Sequence, residues 1–151
     1  MRAGRGFSLI EVLLVVGILS ILGAAGAGYY RNAAKNIEIT SITRRLTSDL
    51  RAARSKAMAG QDERRWGVHV VNGASDYYEV FSTPTDYADA GVAIDSTQYL
   101  QSGVTFSDPA ESSTKDILFS NIFGTTTAAT ITVTSQAESQ TVTVSALGTV
   151  Y

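Results

Sequence analysis

Residues 6–26 read GFSLIEVLLVVGILSILGAAG, and this stretch decides how the rest of the chain is organised. Twelve residues from Phe7 to Leu22 are Phe, Leu, Ile or Val. They favour membrane insertion by about 4 to 7 kcal/mol, whereas one acidic residue near the middle of a helix opposes it by about 3 kcal/mol. As a helix, residues 7–30 are long enough to cross the ~30 Å hydrocarbon core. The sequence therefore predicts a transmembrane helix over residues 7–30.

The acidic residue in this segment, Glu11, requires an explanation, because an ionisable group inside a membrane is by default a functional-site hypothesis. If the chain were cut after Gly6, the new amine of Phe7 would lie about one helical turn from Glu11. Two staggered helices could then pair the amine of one with the carboxylate of the other. Two other interpretations stay open: a secretory signal cleaved within residues 22–28 (LGAAGAG), and a tolerated carboxylate near the membrane edge.

The leader MRAGRG followed by FSLIEVLLVV resembles the class III signal of type IV pilins and of the pseudopilins of type II secretion. The resemblance implies that a prepilin peptidase cuts between Gly6 and Phe7, that Phe7 is then N-methylated, and that Glu11 guides assembly by pairing with the N-terminus of a neighbour. It also implies partners, namely other pilin or pseudopilin subunits, the peptidase, and an inner-membrane platform with its ATPase. The chain would first be a single-pass protein of the bacterial inner membrane and then part of a periplasmic or cell-surface fibre.

After Arg31 the pattern changes from uniformly apolar to amphipathic. Apolar residues recur at spacings of three and four, which is typical of a helix with one buried face. Gly60 is a suitable C-cap. The sequence predicts an amphipathic helix over residues 31–60 whose buried stripe consists of Ile39, Ile42, Leu46, Leu50, Ala53 and Ala57.

The remaining residues, 61–151, predict a β-rich head. Two strand-like runs flank Asn72-Gly73, a hairpin-type dipeptide, and alternating Val, Ile and Thr near residues 129–145 predict a second hairpin. Residues 84–95 are expected to form a loop. The predicted fold class is α+β and pilin-like, with a long N-terminal helix packed on a C-terminal antiparallel β-sheet, and residues 1–6 as a leader peptide.

The second half of the helix and the first head strand narrow the resemblance. Residues 46–60 (LTSDLRAARSKAMAG), followed by WGVHV at residues 66–70, are similar to H-type minor pseudopilins and FimT-like minor pilins. The chain has no cysteine, so it cannot form the disulfide-closed loop of many major pilins. The resemblance implies a structural subunit of a pseudopilus or pilus. A DNA-binding minor pilin and an unprocessed, membrane-anchored protein remain as alternatives.

Charge is distributed unevenly along the chain. Residues 7–65 carry nine Lys/Arg against five Asp/Glu, whereas residues 66–151 carry one Lys against nine Asp/Glu. A basic helix face is expected to meet the acidic head of a neighbouring subunit, since charge complementarity fixes register. Exposed bases would also suit DNA phosphates, so nucleic acid is a possible but less favoured partner. The bases concerned are Arg44, Arg45, Arg51, Arg54, Lys56, Arg64 and Arg65.

Catalysis and metal binding have little support in the sequence. The single histidine, His69, lies between two valines of a predicted strand, and we expect it to be a partly exposed strand residue. Asp86, Asp89 and Asp95 offer oxygen ligands of the kind calcium prefers, but their spacing matches no EF-hand loop. The sequence therefore predicts neither an enzyme nor a cofactor.

Overall fold

A computed structural model describes residues 8–135 and 138–151, and for residues 25–36 it describes the backbone alone. The chain divides into two compact units, the first ending at Ala34 and the second formed by Lys35–Tyr151. One helix, α1, is assigned over Leu9–Met58.

The amphipathic part of α1 is confirmed by the structure. Five residues of the predicted stripe are completely buried and the sixth, Ile42, is partly buried. The helix ends at Met58, and Gly60 adopts a left-handed conformation with φ 65° while its amide donates to the Ala57 carbonyl. Glycine takes up this conformation without steric penalty, so the predicted C-cap is also confirmed. The fully buried residues are Ile39, Leu46, Leu50, Ala53 and Ala57.

Seven antiparallel strands follow the helix and form two sheets. The four-stranded sheet has the order β3-β2-β1-β5, and the three-stranded sheet has the order β4-β6-β7. A short 3₁₀ turn, Gln61–Glu63, connects α1 to the first strand. The strands are β1 (Arg65–Asn72), β2 (Tyr77–Thr83), β3 (Ala93–Tyr99), β4 (Val104–Asp108), β5 (Ser113–Phe119), β6 (Ala129–Ser135) and β7 (Ser139–Val144).

Both predicted hairpins are present, as β1–β2 and β6–β7. Two details of the prediction are wrong. The head contains two sheets where one was expected, and the expected loop over residues 84–95 ends early because β3 begins at Ala93.

Buried side-chain hydrogen bonds connect the β1–β2 turn to β4, which belongs to the other sheet. The Asn72 amide donates to the carbonyls of Phe106 and Pro109, at 2.9 and 2.7 Å. The Asp76 carboxylate accepts from the Phe106 amide at 2.9 Å and from the Gly73 amide at 3.0 Å. Asn72 was expected only to favour a turn. In the structure, the Asn72 side chain also forms hydrogen bonds with backbone carbonyl groups in and just after β4, a strand with which β1 does not pair.

One hydrophobic core joins the helix stripe to both sheets. Inward-facing residues of the four-stranded sheet include Trp66, Val68 and Ile117, and those of the three-stranded sheet include Ile131 and Val142. The helix and the strands thus bury each other's apolar faces, as the layered organisation of small domains requires.

We expect Leu50→Ala to lower the free energy of unfolding by about 2–5 kcal/mol, because the substitution leaves a cavity in this core. Urea unfolding of the detergent-solubilised chain would report the change through the fluorescence of Trp66, the single tryptophan, which is buried. Ser48→Ala on the exposed face of the same helix is the control and should change stability by no more than about 0.5 kcal/mol. Equal losses in the two variants would contradict the role of the stripe.

Candidate functional site

The first turn of α1 contains Glu11, the residue on which the assembly hypothesis depends. Ser8 precedes the helix, and its side-chain and main-chain oxygens accept from the Glu11 amide at 3.3 and 3.1 Å. A serine followed three residues later by glutamate is the pattern of a capping box, and a carboxylate here is favoured by the helix dipole. Sequence reasoning did not single out Ser8, although the Ser-x-x-Glu spacing is its signal.

The other two predicted site residues, Gly6 and Phe7, lie outside the residues that the structure describes. Cleavage between them and methylation of Phe7 therefore stay predictions. The Glu11 side chain is exposed, so it is available to a partner.

The large apolar side chains that follow Glu11 are exposed to solvent. Every Val, Leu and Ile between Val12 and Leu22 is 48 to 71% exposed, and Leu9 and Ile10 are exposed further, at 82 and 76%. A continuous apolar surface of this length exceeds what soluble monomers normally show and marks a surface that a partner or lipid covers.

Among the residues whose side chains are described, no helix is both long and apolar enough to cross a membrane. Part of the segment predicted to do so, residues 7–30, falls outside that description, namely Phe7 and the side chains of residues 25–30.

Five of the seven basic residues expected to face a partner bind groups of their own chain. Four arginines donate to backbone carbonyls, and Lys56 pairs with Asp95 at 2.8 Å while lying over the Trp66 ring. These contacts give each of the five cations a partner within its own chain, and the expectation that the basic helix face meets a neighbouring subunit stays a prediction. The four arginine contacts are Arg51 to Val150 (2.9 Å), Arg54 to Leu147 (3.0 Å), Arg64 to Gly91 (2.7 Å) and Arg65 to Thr85 (2.9 Å).

The remaining two bases, Arg44 and Arg45, are exposed and form no hydrogen bond or ion pair with any described residue. Phosphate binding requires a cluster of exposed cations. Arg44 and Arg45 are two of the seven expected cations, and the preference for protein contact over DNA binding on this face stays a prediction.

His69 is buried, with 6% of its surface exposed, so the expectation of a partly exposed histidine is wrong. The Tyr87 ring covers it by stacking on the imidazole, with 3.6 Å between ring centroids and an interplanar angle of 6°. Nδ1 of His69 is hydrogen-bonded to the Asp116 carboxylate on the neighbouring strand. Tyr87 also donates to Glu79, the cross-strand partner of His69, at 2.6 Å. These contacts fasten the loop after β2 to the outer face of the sheet.

The three loop aspartates considered for calcium are not brought together. Asp95 pairs with Lys56, whereas Asp86 and Asp89 accept hydrogen bonds from nearby backbone amides. Within residues 8–135 and 138–151, no three His, Asp or Glu side chains are arranged to hold a metal ion.

A buried tyrosine links α1 to β2. The Tyr78 hydroxyl donates to the Asp49 carboxylate at 2.8 Å, and the side chain is almost completely buried. Burial, followed by this hydrogen bond, raises the pKa of Tyr78 well above its usual range. The phenol therefore stays protonated in the folded state where a free tyrosine would ionise.

Two parts of the chain match known families. Residues 43–148, which include the second half of α1 and nearly all of the head, match the family described as Type II transport protein GspH. The chain belongs to this family. Residues 1–27 match the prokaryotic N-terminal methylation motif. The chain is thus a pilin-like protein of the GspH type, as its resemblance to H-type pseudopilins predicted. No curated protein and no solved structure matches it.

The Tyr78–Asp49 contact predicts a loss of stability at alkaline pH. Above the usual tyrosine pKa of about 10, the unfolded chain releases a proton that folded Tyr78 retains, so the free energy of unfolding falls as pH rises. Tyr78→Phe should reduce this slope by up to about 1.4 kcal/mol per pH unit. Chemical unfolding at several pH values between 9 and 11 would measure it, with Tyr99→Phe, at a 69% exposed position, as the control. An unchanged slope in Tyr78→Phe would be evidence against this account.

Proposed function

We propose that this GspH-type chain is a structural fibre subunit of a type II secretion system, cut after Gly6, methylated on Phe7 and assembled through the first part of α1. The observation that carries the proposal is the exposed apolar run from Leu9 to Leu22, which lies within the N-terminal methylation motif and precedes a compact GspH-type head. Such a run needs a cover that the chain itself does not supply among its described residues.

Two environments cover the apolar run at successive stages. Lipid covers it while the chain is held in the inner membrane, where the flanking polar residues stay at the interface. Equivalent helices of other subunits cover it once the chain has entered a fibre. Transfer of the helix from lipid to the fibre changes the water-exposed apolar area little. The hydrophobic effect therefore does not strongly oppose extraction of the chain from the membrane.

Glu11 sets the register of the incoming helix. Cutting after Gly6 creates an amine one residue before Ser8, close to the first turn of α1. A carboxylate in an apolar surrounding is strongly unfavourable unless it is paired. Pairing the amine of one subunit with Glu11 of the next satisfies both charges, and it penalises helices that pack at another axial offset.

The proposed location and partners follow from this role. The chain acts first in the inner membrane and then in a periplasmic fibre, with other pseudopilins as partners. The prepilin peptidase, the membrane platform and its ATPase interact with the chain transiently, before and during its assembly. The head forms the outer surface of the fibre in this proposal. Its role is to make contacts, and the proposal assigns it no catalytic step.

The intact mass of the chain, extracted from membranes of a host that carries a prepilin peptidase, tests the processing step. Loss of residues 1–6 together with the gain of one methyl group is the expected result. An uncut chain in the presence of active peptidase would overturn the proposal and leave a membrane-anchored protein. Cleavage within residues 22–28 would instead make the chain a secreted protein.

We expect Glu11→Gln to be processed normally but to enter fibres at least about tenfold less, a loss equivalent to 1.4 kcal/mol of assembly free energy. The amide keeps the size of the side chain and removes the charge that pairs with the amine. Fibres sheared from cells and quantified by immunoblot would measure the effect. Ser20→Ala, on the same exposed helix, is the matched control. Normal fibre yield from Glu11→Gln would contradict the role given to the carboxylate.

A further inference from the structure

The turn between β1 and β2 begins with Asn72-Gly73, the only Asn-Gly dipeptide in the sequence. In a flexible chain, an asparagine that precedes glycine loses its side-chain amide by reaction with its own backbone. The nitrogen of the following residue attacks the side-chain carbonyl carbon, and glycine has no side chain to hinder this attack. The turn that the hairpin needs is therefore built from a chemically reactive dipeptide.

The reaction consists of ring closure followed by hydrolysis. The Gly73 nitrogen gives up its proton and bonds to Cγ of Asn72, while the bond from Cγ to the side-chain nitrogen breaks and that nitrogen leaves as ammonia. The five-membered imide then adds one water and opens to an aspartate or an isoaspartate. Water is the co-reactant, and the mass of the chain rises because an OH group replaces an NH₂ group.

The attacking nitrogen is engaged in the folded head. The Gly73 amide donates to the Asp76 carboxylate at 3.0 Å. A negative charge next to this amide disfavours the loss of its proton, which the attack requires. The Asp76 carboxylate is itself buried and also accepts from the Phe106 amide, at 2.9 Å, so it is held in this position.

The carbon under attack is also held. The Asn72 side-chain nitrogen, which would be the leaving group, donates to the carbonyls of Phe106 and Pro109, and Asn72 is only 6% exposed. Asn72 also pairs with Ser113 in the ladder between β1 and β5, which keeps its backbone extended. Ring closure requires rotation about the Cα–C bond of Asn72 until the reacting atoms lie about 3–3.5 Å apart. The ladder opposes that rotation.

We propose that Asn72 is a latent deamidation site, which Asp76 and the backbone carbonyls of Phe106 and Pro109 keep unreactive while the head is folded. Opening of the β1–β2 turn releases the nitrogen, the side chain and the backbone together. The reaction therefore proceeds in chains whose head has opened or has not yet folded. This inference goes beyond the proposed fibre role and does not depend on it.

The product of the reaction does not fit the folded turn. The side-chain amide of Asn72 donates to two carbonyls, whereas an ionised aspartate at the same position could only accept. Its charge would be buried without a donor, which is strongly unfavourable. An isoaspartate would in addition lengthen the backbone of β1. A head that deamidates while it is open is thereby prevented from closing the turn onto β4.

Peptide mapping by mass spectrometry, on the detergent-solubilised full chain, tests the proposal. In mildly alkaline buffer, the folded chain should deamidate at Asn72 at least about tenfold more slowly than the same chain unfolded in guanidinium chloride. Equal rates in the two states would overturn the proposal.

Gly73→Ala is the matched variant for the unfolded chain. The added Cβ would lie 3.9 Å from the Val71 side chain, an ordinary contact, so the fold accommodates it. In guanidinium chloride this variant should deamidate at Asn72 at least about tenfold more slowly than the original chain, because the methyl group hinders the attack. An unchanged rate would show that the mass gain does not arise by ring closure at Gly73 and would overturn the proposal.

Asp76→Ala separates protection by the turn from a general loss of stability. The folded variant should deamidate at Asn72 at least about tenfold faster than the original chain. Leu50→Ala, which weakens the core, is the control, and both variants are compared at a temperature where Trp66 fluorescence shows them folded. Equal rates in the two variants would overturn the role of Asp76. A slower reaction in Asp76→Ala would make Asp76 a base that promotes the attack, which overturns it as well.

Asn72→Asp imitates the main product and examines its effect on the fold without waiting for the reaction. This variant should melt at a lower temperature than the original chain. Ser75→Asp, which adds the same charge at an exposed position of the same turn, is the control and should melt almost unchanged. An equal melting temperature in the two variants would overturn the claim that deamidation prevents the turn from closing.

Discussion

Burial of the helix stripe from Ile39 to Ala57 is the constraint on which the rest of the head depends. Each sheet has an apolar face that must be buried against another element. The stripe gives both faces one common cover. Burial of the stripe fixes the end of α1 in the core. The loop that contains Ile122 and the C-terminal residues near Leu147 are hydrogen-bonded to this end of the helix.

The helix presents two kinds of apolar surface, and they serve different purposes. Between Ile39 and Ala57 the apolar residues occupy one stripe, which the strands bury. Between Leu9 and Leu22 apolar side chains surround the helix, and all are exposed. A helix that is apolar on every side is matched to lipid or to other helices, whereas a striped helix is matched to one sheet surface. This difference is the physical basis for assigning assembly to the first part and folding to the second.

The charge asymmetry of the chain is used mainly inside the molecule. Arginines of α1 donate to carbonyl groups of the C-terminal residues, and Lys56 holds the start of β3 through Asp95. Guanidinium groups suit this task because their forked donors reach carbonyls from a partly solvated position. Exposed charges such as Arg44 and Arg45 on the helix remain available for contacts between molecules.

The sequence by itself determined the features that depend on local pattern. A period of three and four fixed the buried stripe, Gly60 marked the helix end, alternating Val and Thr gave the β6–β7 hairpin, and the leader with Glu11 indicated the family. Only the tertiary structure decided the partition of the strands into two sheets, the burial of His69 beneath Tyr87, the partners of the arginines and the hydrogen bond from Asn72 to β4. Those features join residues far apart in the chain, such as Arg51 and Val150, 99 positions apart. No local periodicity encodes such a pairing, because each side chain is compatible with several partners until the core has closed.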